Sequence, residues 1–104
     1  MPTSVKARRY IVSGRVQGVG FRWFVREQAR ARGLAGFVQN TADGLVVAEV
    51  YGNADRLLTL EEALRQGPNG ALVAQLEIIE MDVNAAASLP MPFEIRRLGD
   101  SFSA

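Results

Sequence analysis

Hydrophobic and polar residues alternate over residues 8–16. Tyr10 and Val12 fall on one side of this segment, whereas Arg9 and Ile11 fall on the other. A period of two is typical of a β-strand that keeps one face in water. The segment therefore predicts a first strand.

From Phe21 onward, the pattern changes to a spacing of three to four residues, which is the spacing of one helix face. The residues of this face are Phe21, Phe24, Val25, Gln28, Ala29 and Arg32. Gly33 follows at the position where a left-handed glycine commonly ends a helix. The pattern predicts a first helix that a glycine-rich loop joins to the first strand.

Two strands are predicted next, over residues 36–41 and 45–51, because Asp43-Gly44 between them is typical of a hairpin turn. Asn53 is expected to cap a second helix over Ala54–Gln66, which Gly67 ends. The predicted buried face of this helix consists of Ala54, Leu57, Leu58, Glu61 and Leu64.

The last third of the chain predicts a strand over residues 72–81, a proline-containing loop over residues 84–92 and a short strand over residues 93–97. Alternation breaks near Ile78 and Ile79, which indicates a β-bulge there. Residues 1–7 and 100–104 are expected to be loose ends. Residues 1–104 thus predict a single domain whose core lies in residues 8–97.

This order of elements, β-α-β-β-α-β with an extra strand, is that of the ferredoxin-like, or split β-α-β, class of α+β folds. Both helices are predicted to cover one face of an antiparallel sheet, with the third strand between the first two. Strands one and two then end at the same edge of the sheet. Two strand spacings, roughly 10 Å, separate the loop after strand one from Asn40.

Composition narrows the chemistry that this domain can perform. The chain has 104 residues and contains neither cysteine nor histidine. Disulfides, thiolate metal sites and an imidazole general base are therefore excluded. No segment has the length and apolarity of a membrane span or a secretory signal, so we expect a cytoplasmic protein without a membrane partner.

Charge is distributed unevenly along the chain. Residues 1–32 contain eight basic residues and one acidic residue, and the remainder contains four basic and ten acidic residues. The first part therefore carries a net charge of +7 and the second part −6. A binding site for an anion and a solvated basic face both account for this asymmetry.

The segment GRVQGVGFRWF, residues 14–24, contains three glycines and matches neither the Walker nor the dinucleotide-binding pattern. A strand that turns through glycines into a helix nevertheless gathers unpaired N–H groups, which favours an oxyanion. A tight turn without a ligand explains the same glycines. The predicted phosphate-binding residues are Gln17, Gly18, Val19, Gly20, Phe21 and Arg22.

Arg22 favours the anion-binding alternative, because a cation in the first turn of a helix opposes the helix dipole unless an anion compensates it. Its guanidinium group also suits bidentate contact with phosphate.

Asn40 is the second candidate. It is either a residue that supports the hairpin bend or a functional residue next to the loop. Trp23 is interpreted as either partly buried or at the rim of the site.

The motifs GRVQGVGFR and GFVQNTADG resemble the signatures of the acylphosphatase family, G-x-V-Q-G-V-x-F-R and G-x-V-x-N-x-x-D-G. The resemblance continues through GPNGALV, similar to the family's G-P-x-x-A-x-V, and through FEI near the C-terminus. It covers residues 8–97. The segment over residues 84–92 is longer than is usual in the family.

This resemblance implies a ferredoxin-like fold and hydrolysis of a carboxyl phosphate to a carboxylate and inorganic phosphate. It also implies that Arg22 binds the phosphoryl group and that Asn40 orients the attacking water. The expected partners are a small acyl phosphate and inorganic phosphate or another anion in the loop.

The residues suit this reaction because a carboxylate, whose conjugate acid has a pKa of about 4, leaves without a general acid. The amide oxygen of Asn40 can accept a hydrogen bond from water, although it cannot act as a base. Phosphoryl transfer needs mainly positioning and electrostatic stabilisation. We therefore predict no metal and no other cofactor.

Two other functions remain open from the sequence. A non-catalytic module that binds an anion or RNA is compatible with a ferredoxin-like sheet and a basic N-terminal part, but the aromatic RNA-binding motif is missing, so no nucleic acid is expected. The second open function is that of an accessory domain, similar to the acylphosphatase-like module of hydrogenase maturation proteins. Because the chain ends after one domain, we expect a free-standing enzyme, and its small size favours a monomer.

Overall fold

The structure is a computed structural model that describes residues 4–97. In chain order its elements are β1 (Val5–Arg15), α1 (Phe21–Ala31), β2 (Ala35–Asn40), β3 (Val46–Asn53), α2 (Ala54–Gln66), β4 (Leu72–Glu80), α3 (Val83–Ala86) and β5 (Glu94–Arg96). This order confirms the predicted β-α-β-β-α-β plan with an extra C-terminal strand.

The five strands form one sheet in the order β4-β1-β3-β2-β5. As predicted, β3 lies between β1 and β2 and is antiparallel to both. The expectation of an antiparallel sheet is wrong at one edge, because β5 pairs with β2 in parallel. The chain crosses from the β4 edge to the opposite edge before β5, and it re-enters the sheet in the direction of β2.

Helices α1 and α2 pack on the same face of the sheet and share one hydrophobic core with it. Residues from β1, β2, β3, α1 and α2 and the residue before β5 contribute to this core. The largest fully buried side chains are Tyr10, Phe21, Phe93, Leu34, Leu57, Leu60 and Leu64. The core fixes the start of α1 above the ends of β1 and β2. No helix within residues 4–97 has the length and apolarity needed to cross a membrane.

The buried face of α2 differs from the predicted one. Leu60 is fully buried, whereas Leu58 is 53% exposed. Leu57, Leu60 and Leu64 are three and four residues apart and thus lie on one helix face, and Leu58 falls outside it because each residue turns the helix by about 100°.

The β-bulge lies at the other end of β4 from its predicted position. The register of β1 with β4 shifts between Ser13 and Gly14, where Ala74 has no partner. Gly14 has a φ of 119°, and a Cβ atom at this position would lie 2.2 Å from the carbonyl oxygen of Leu72. Alternation breaks at Ile79 because this apolar residue pairs with Arg9 on the face of the sheet opposite α1 and α2, where it is 37% exposed.

The ends of the predicted elements also shift. Residues 5–7 belong to β1, with Ala7 fully buried, so the expectation of a loose N-terminal end is wrong for them. Residues 1–3 and 100–104 lie outside the described residues.

The predicted loop over residues 84–92 overlaps α3, which contacts β1 and β3. The carboxylate of Asp82 caps this helix by accepting a hydrogen bond of 3.0 Å from the N–H of Asn84. This short helix carries the chain across the sheet.

Candidate active site

The loop between β1 and α1 is shaped by two glycines in the left-handed region. Gly18 has a φ of 75° and Gly20 a φ of 76°, and Val19 between them has a negative φ. An added Cβ atom would meet nothing within 4 Å at either glycine, so the backbone conformation, and not a lack of space, requires glycine here. Alternating conformations of this kind turn successive N–H groups toward a common concavity, which favours an anion.

Helix α1 begins without a capping side chain. Gly20 occupies the N-cap position, and the first turn contains no acidic residue. The first N–H groups of the helix therefore have no side-chain acceptor, and the helix dipole adds positive potential at the same place. An anion in front of the helix would satisfy both.

Arg22 lies in this first turn and lines the pocket in front of the loop. It is half-buried, and its side chain makes no hydrogen bond or ion pair with another residue of the described part of the chain. Its position near the positive end of the helix is unfavourable without a counterion. The charge is thus available to a ligand.

Asn40 is the last residue of β2, and its side chain lines the same pocket. Its Oδ1 atom is buried and accepts no hydrogen bond from any residue within the described range. An unsatisfied buried acceptor costs about 1–3 kcal/mol. A donor that enters the pocket, such as a water molecule, would remove this cost.

The structure thus brings Arg22 and Asn40 to one pocket, which has a volume of about 510 Å³. Its lining residues are Val16, Gly18, Gly20, Phe21, Arg22, Trp23, Asn40, Ile95 and Arg97. Two of the predicted phosphate-binding residues are not among them. Val19 packs against the hydrophobic core, and Gln17 points its side chain toward the β2–β3 turn. Any part of theirs in phosphate binding would involve the backbone.

Four lining residues were not identified as site residues from the sequence: Val16, Trp23, Ile95 and Arg97. Trp23, whose place the sequence left open, lies at the rim and is 58% exposed. Ile95 and Arg97 come from the last strand and the residue after it. They reach the pocket because Ile95 pairs with Val38, two residues before Asn40. Their place in the pocket could have been predicted only from the parallel pairing of β5 with β2. The lining contains two arginines and no acidic residue.

Gln17 connects the loop to the turn that follows Asn40. Its Nε2 atom donates hydrogen bonds of 2.9 Å to the carbonyl oxygens of both Thr41 and Leu45. The N–H of Thr41 in turn donates to Leu45 at 2.9 Å, and the hydroxyl of Thr41 donates to Asp43. The turn is thereby closed on itself and tied to the loop, so Gln17 helps to fix the position of Asn40.

Candidate metal ligands do not come together in this region. Within residues 4–97, no group of three or more histidine, cysteine, aspartate or glutamate residues is arranged to hold a metal ion. The pocket is instead lined by two glycines of the loop, two arginines and one asparagine, beside apolar residues.

Known proteins resemble this chain in sequence. The chain matches the acylphosphatase family over residues 8–95. It is 46% identical over 78 residues to an acylphosphatase of Koribacter versatilis, an alignment that covers 75% of this chain and 71% of that protein.

Solved structures show the same relationship. An acylphosphatase from Coxiella burnetii superposes with a TM-score of 0.81 at 34% identity and covers 88% of this chain and 93% of its own. Full-length HypF in a phosphate- and nucleotide-bound form superposes with a TM-score of 0.76 at 26% identity, over 95% of this chain but 13% of that one. The predicted resemblance is confirmed, and the chain belongs to the acylphosphatase family.

Proposed function

We propose that the protein hydrolyses the carboxyl–phosphate bond of small acyl phosphates, with Arg22 and the glycine loop holding the phosphoryl group and Asn40 positioning the attacking water. The observation that carries this proposal is that Asn40, whose Oδ1 atom is buried and has no partner among residues 4–97, lines the same pocket as Arg22. An acceptor in that position is suited to a water molecule that must be oriented and not deprotonated.

The phosphoryl group is held by the start of α1. Backbone N–H groups of the loop and of the first helical turn donate to its oxygens, and the guanidinium group of Arg22 donates two parallel hydrogen bonds. These donors are positioned before the substrate arrives. They therefore stabilise the charge of the equatorial oxygens in the transition state without reorganisation of the protein.

Water attacks phosphorus in line with the bond to the carboxyl oxygen. The oxygen of water forms the new bond to phosphorus, the bond to the carboxyl oxygen breaks, and the carboxylate leaves with its electron pair. The products are the carboxylate, inorganic phosphate and one proton. Because the carboxylate is a good leaving group, no general acid is needed, and Asn40 supplies the position of the water.

The same proposal includes a reaction without a metal. The donors in front of α1 and the positive charge of Arg22 offer the stabilisation that a metal ion would otherwise provide. A monomeric state and a cytoplasmic location stay predictions from the sequence.

The face of the sheet opposite α1 and α2 weighs against an RNA-binding function. Arg9 pairs with Glu49 at 2.7 Å, and Arg96 pairs with Glu94 at 3.0 Å. The guanidinium carbon of Arg96 also lies 4.0 Å from the centroid of the Phe37 ring. These arginines are neutralised by neighbouring carboxylates, and that face offers less of the positive charge that RNA requires.

The test is hydrolysis of benzoyl phosphate by purified protein, followed by loss of substrate absorbance with and without EDTA. We expect turnover that EDTA leaves unchanged. Folded protein that binds inorganic phosphate but releases none from benzoyl phosphate would contradict the enzymatic proposal. Turnover that EDTA abolishes and Mg²⁺ restores would contradict the metal-free part alone.

A further inference from the structure

Trp23 is an unusual residue to leave in water. It is the chain's single tryptophan, it follows Arg22 directly, and its side chain is 58% exposed. Most of its exposed surface is apolar, and the residue lines the pocket that contains Arg22 and Asn40. A large aromatic side chain at the rim of a binding pocket is a common contact surface for ligands.

The indole ring is held in place by a neighbour on its own helix. The guanidinium carbon of Arg26 lies 4.7 Å from the ring centroid, a cation–π contact. Arg26 is in turn hydrogen-bonded to Glu27 at 3.2 Å. Arg26 thus lies over one face of the ring, and Trp23 is still 58% exposed. A platform that is already ordered loses little conformational entropy when a ligand stacks on it.

The pocket is larger than a phosphoryl group requires. A phosphoryl group is about as large as two or three water molecules, which occupy roughly 30 Å³ each, whereas the pocket volume is about 510 Å³. Ile95 adds a second apolar wall, and it packs against the hydrophobic core. The space outside the phosphate loop is therefore bordered by an aromatic ring and an aliphatic side chain.

We propose that Trp23 and Ile95 form the subsite for the acyl group and that this subsite prefers planar, apolar acyl groups, such as aromatic ones, over an acetyl group. This inference rests on the proposed function, because the loop and Arg22 must hold the phosphoryl end of the same molecule. The acyl carbon is attached to that end, so the acyl group must lie within the same pocket.

The first measurement uses two ligands that differ only in their organic group, phenylphosphonate and methylphosphonate. Since neither is an acyl phosphate, binding is measured apart from turnover. The fluorescence of the single tryptophan reports contact with the ring directly, and calorimetry supplies dissociation constants for variants that lack it. We expect phenylphosphonate to bind about tenfold more tightly than methylphosphonate, with a fluorescence change that methylphosphonate does not cause.

The variants are Trp23→Ala and Trp23→Phe, with Leu58→Ala as the matched control. Leu58 is also an exposed apolar residue on a helix, and it does not line the pocket. Replacement of an exposed side chain usually has a small effect on stability, so each variant is expected to fold. Trp23→Ala should reduce the ratio of the two dissociation constants to near one, Trp23→Phe should keep part of the preference, and Leu58→Ala should keep all of it.

Turnover is measured separately, as kcat/KM for benzoyl and acetyl phosphate. If wild-type protein prefers phenylphosphonate but hydrolyses neither substrate, the subsite is supported and the proposed enzymatic function fails. If it hydrolyses both but Trp23→Ala leaves the phosphonate ratio unchanged, the function is supported and the subsite is wrong. Equal affinity of wild-type protein for the two phosphonates would also overturn the subsite.

Discussion

Strand β1 runs between two polar regions that differ in how their hydrogen bonds are satisfied. Near its start, Arg8 and Tyr10 share a buried carboxylate with α2. At its end, the chain enters the glycine loop and the pocket of Arg22 and Asn40. Both regions bury polar groups on the helix-covered side of the sheet, yet the first is fully paired and the second is not.

In the first region, Glu61 is 4% exposed and accepts hydrogen bonds from Arg8 at 2.6 Å and from the Tyr10 hydroxyl at 2.7 Å. Arg8 also donates to Glu80 at 2.7 Å. Burial and the hydrogen bond to Glu61 raise the pKa of Tyr10 above its usual value. Burial lowers the pKa of Arg8, but its bonds to Glu61 and Glu80 more than compensate, so the net direction is upward. This network stabilises the fold.

In the second region, Arg22 and Asn40 have polar groups with no partner among residues 4–97. Such groups destabilise the folded state, and their free energy is recovered when a ligand or a water molecule binds. The comparison shows that the same strand supports a network that holds the fold together at one end and a set of unpaired groups for chemistry at the other. Substitutions in the two regions should therefore affect different properties.

The largest effect is expected from Arg22→Ala. Loss of the guanidinium group removes the main charge on the phosphoryl group, so kcat/KM for benzoyl phosphate should fall by roughly 10³-fold and phosphate affinity should fall with it. The melting temperature should change little, since Arg22 has no partner within the described residues. Arg22→Lys is the matched control, because it keeps the charge but loses the bidentate geometry, and it should be intermediate. Equal rates for wild type and Arg22→Ala would exclude the assigned role.

The first region is tested by Glu61→Ala, which leaves Arg8 and Tyr10 without their shared acceptor. We expect a loss of about 3 kcal/mol in the free energy of unfolding, measured with urea, and little change in kcat. The control is Glu62→Ala, an exposed neighbour on the same helix, which should change stability by less than about 0.5 kcal/mol. A fall in kcat in folded Glu61→Ala would show that the two regions are coupled.

We expect Asn40→Ala to reduce turnover without reducing stability, whereas Glu61→Ala should reduce stability with little change in turnover. Turnover of benzoyl phosphate should fall by roughly 100-fold, while the inhibition constant of inorganic phosphate stays within about twofold, because Asn40 positions water and does not hold phosphate. The free energy of unfolding should not decrease, since the change removes an unsatisfied buried acceptor. Normal turnover in this variant would rule out its role in positioning water.

A smaller effect is expected from Gln17→Met, which removes both hydrogen bonds to the β2–β3 turn. The turn should loosen, and kcat should fall by about tenfold with little change in phosphate inhibition. Gln39→Met, next to Asn40 in β2, is the matched control. Because Gln17 acts through Asn40, Gln17→Met should have almost no further effect on kcat in an Asn40→Ala background. Additive losses in the double variant would argue against this positioning role.

Much of the fold was predictable because its signals are local. The period of two in β1, the helical spacing after Phe21 and the Asp43-Gly44 turn each depend on a few neighbouring residues. The buried face of α2 was wrong for a local reason, the angular position of Leu58, but two other errors arose where contacts between distant segments decide. The bulge opposite Gly14 depends on how β4 pairs with β1, and the parallel direction of β5 depends on the path of the chain across the sheet.

For the candidate site, the sequence by itself determined the glycine loop, Arg22 at the start of α1 and Asn40 at the end of β2, since these follow from local motifs and element order. Only the tertiary structure decided the rest. The bonds of Gln17 span 24 and 28 residues, and Ile95 reaches the pocket through the pairing of β5 with β2. Whether Asn40 keeps an unpaired oxygen depends on every neighbour packed around it, and that environment exists only in the folded chain.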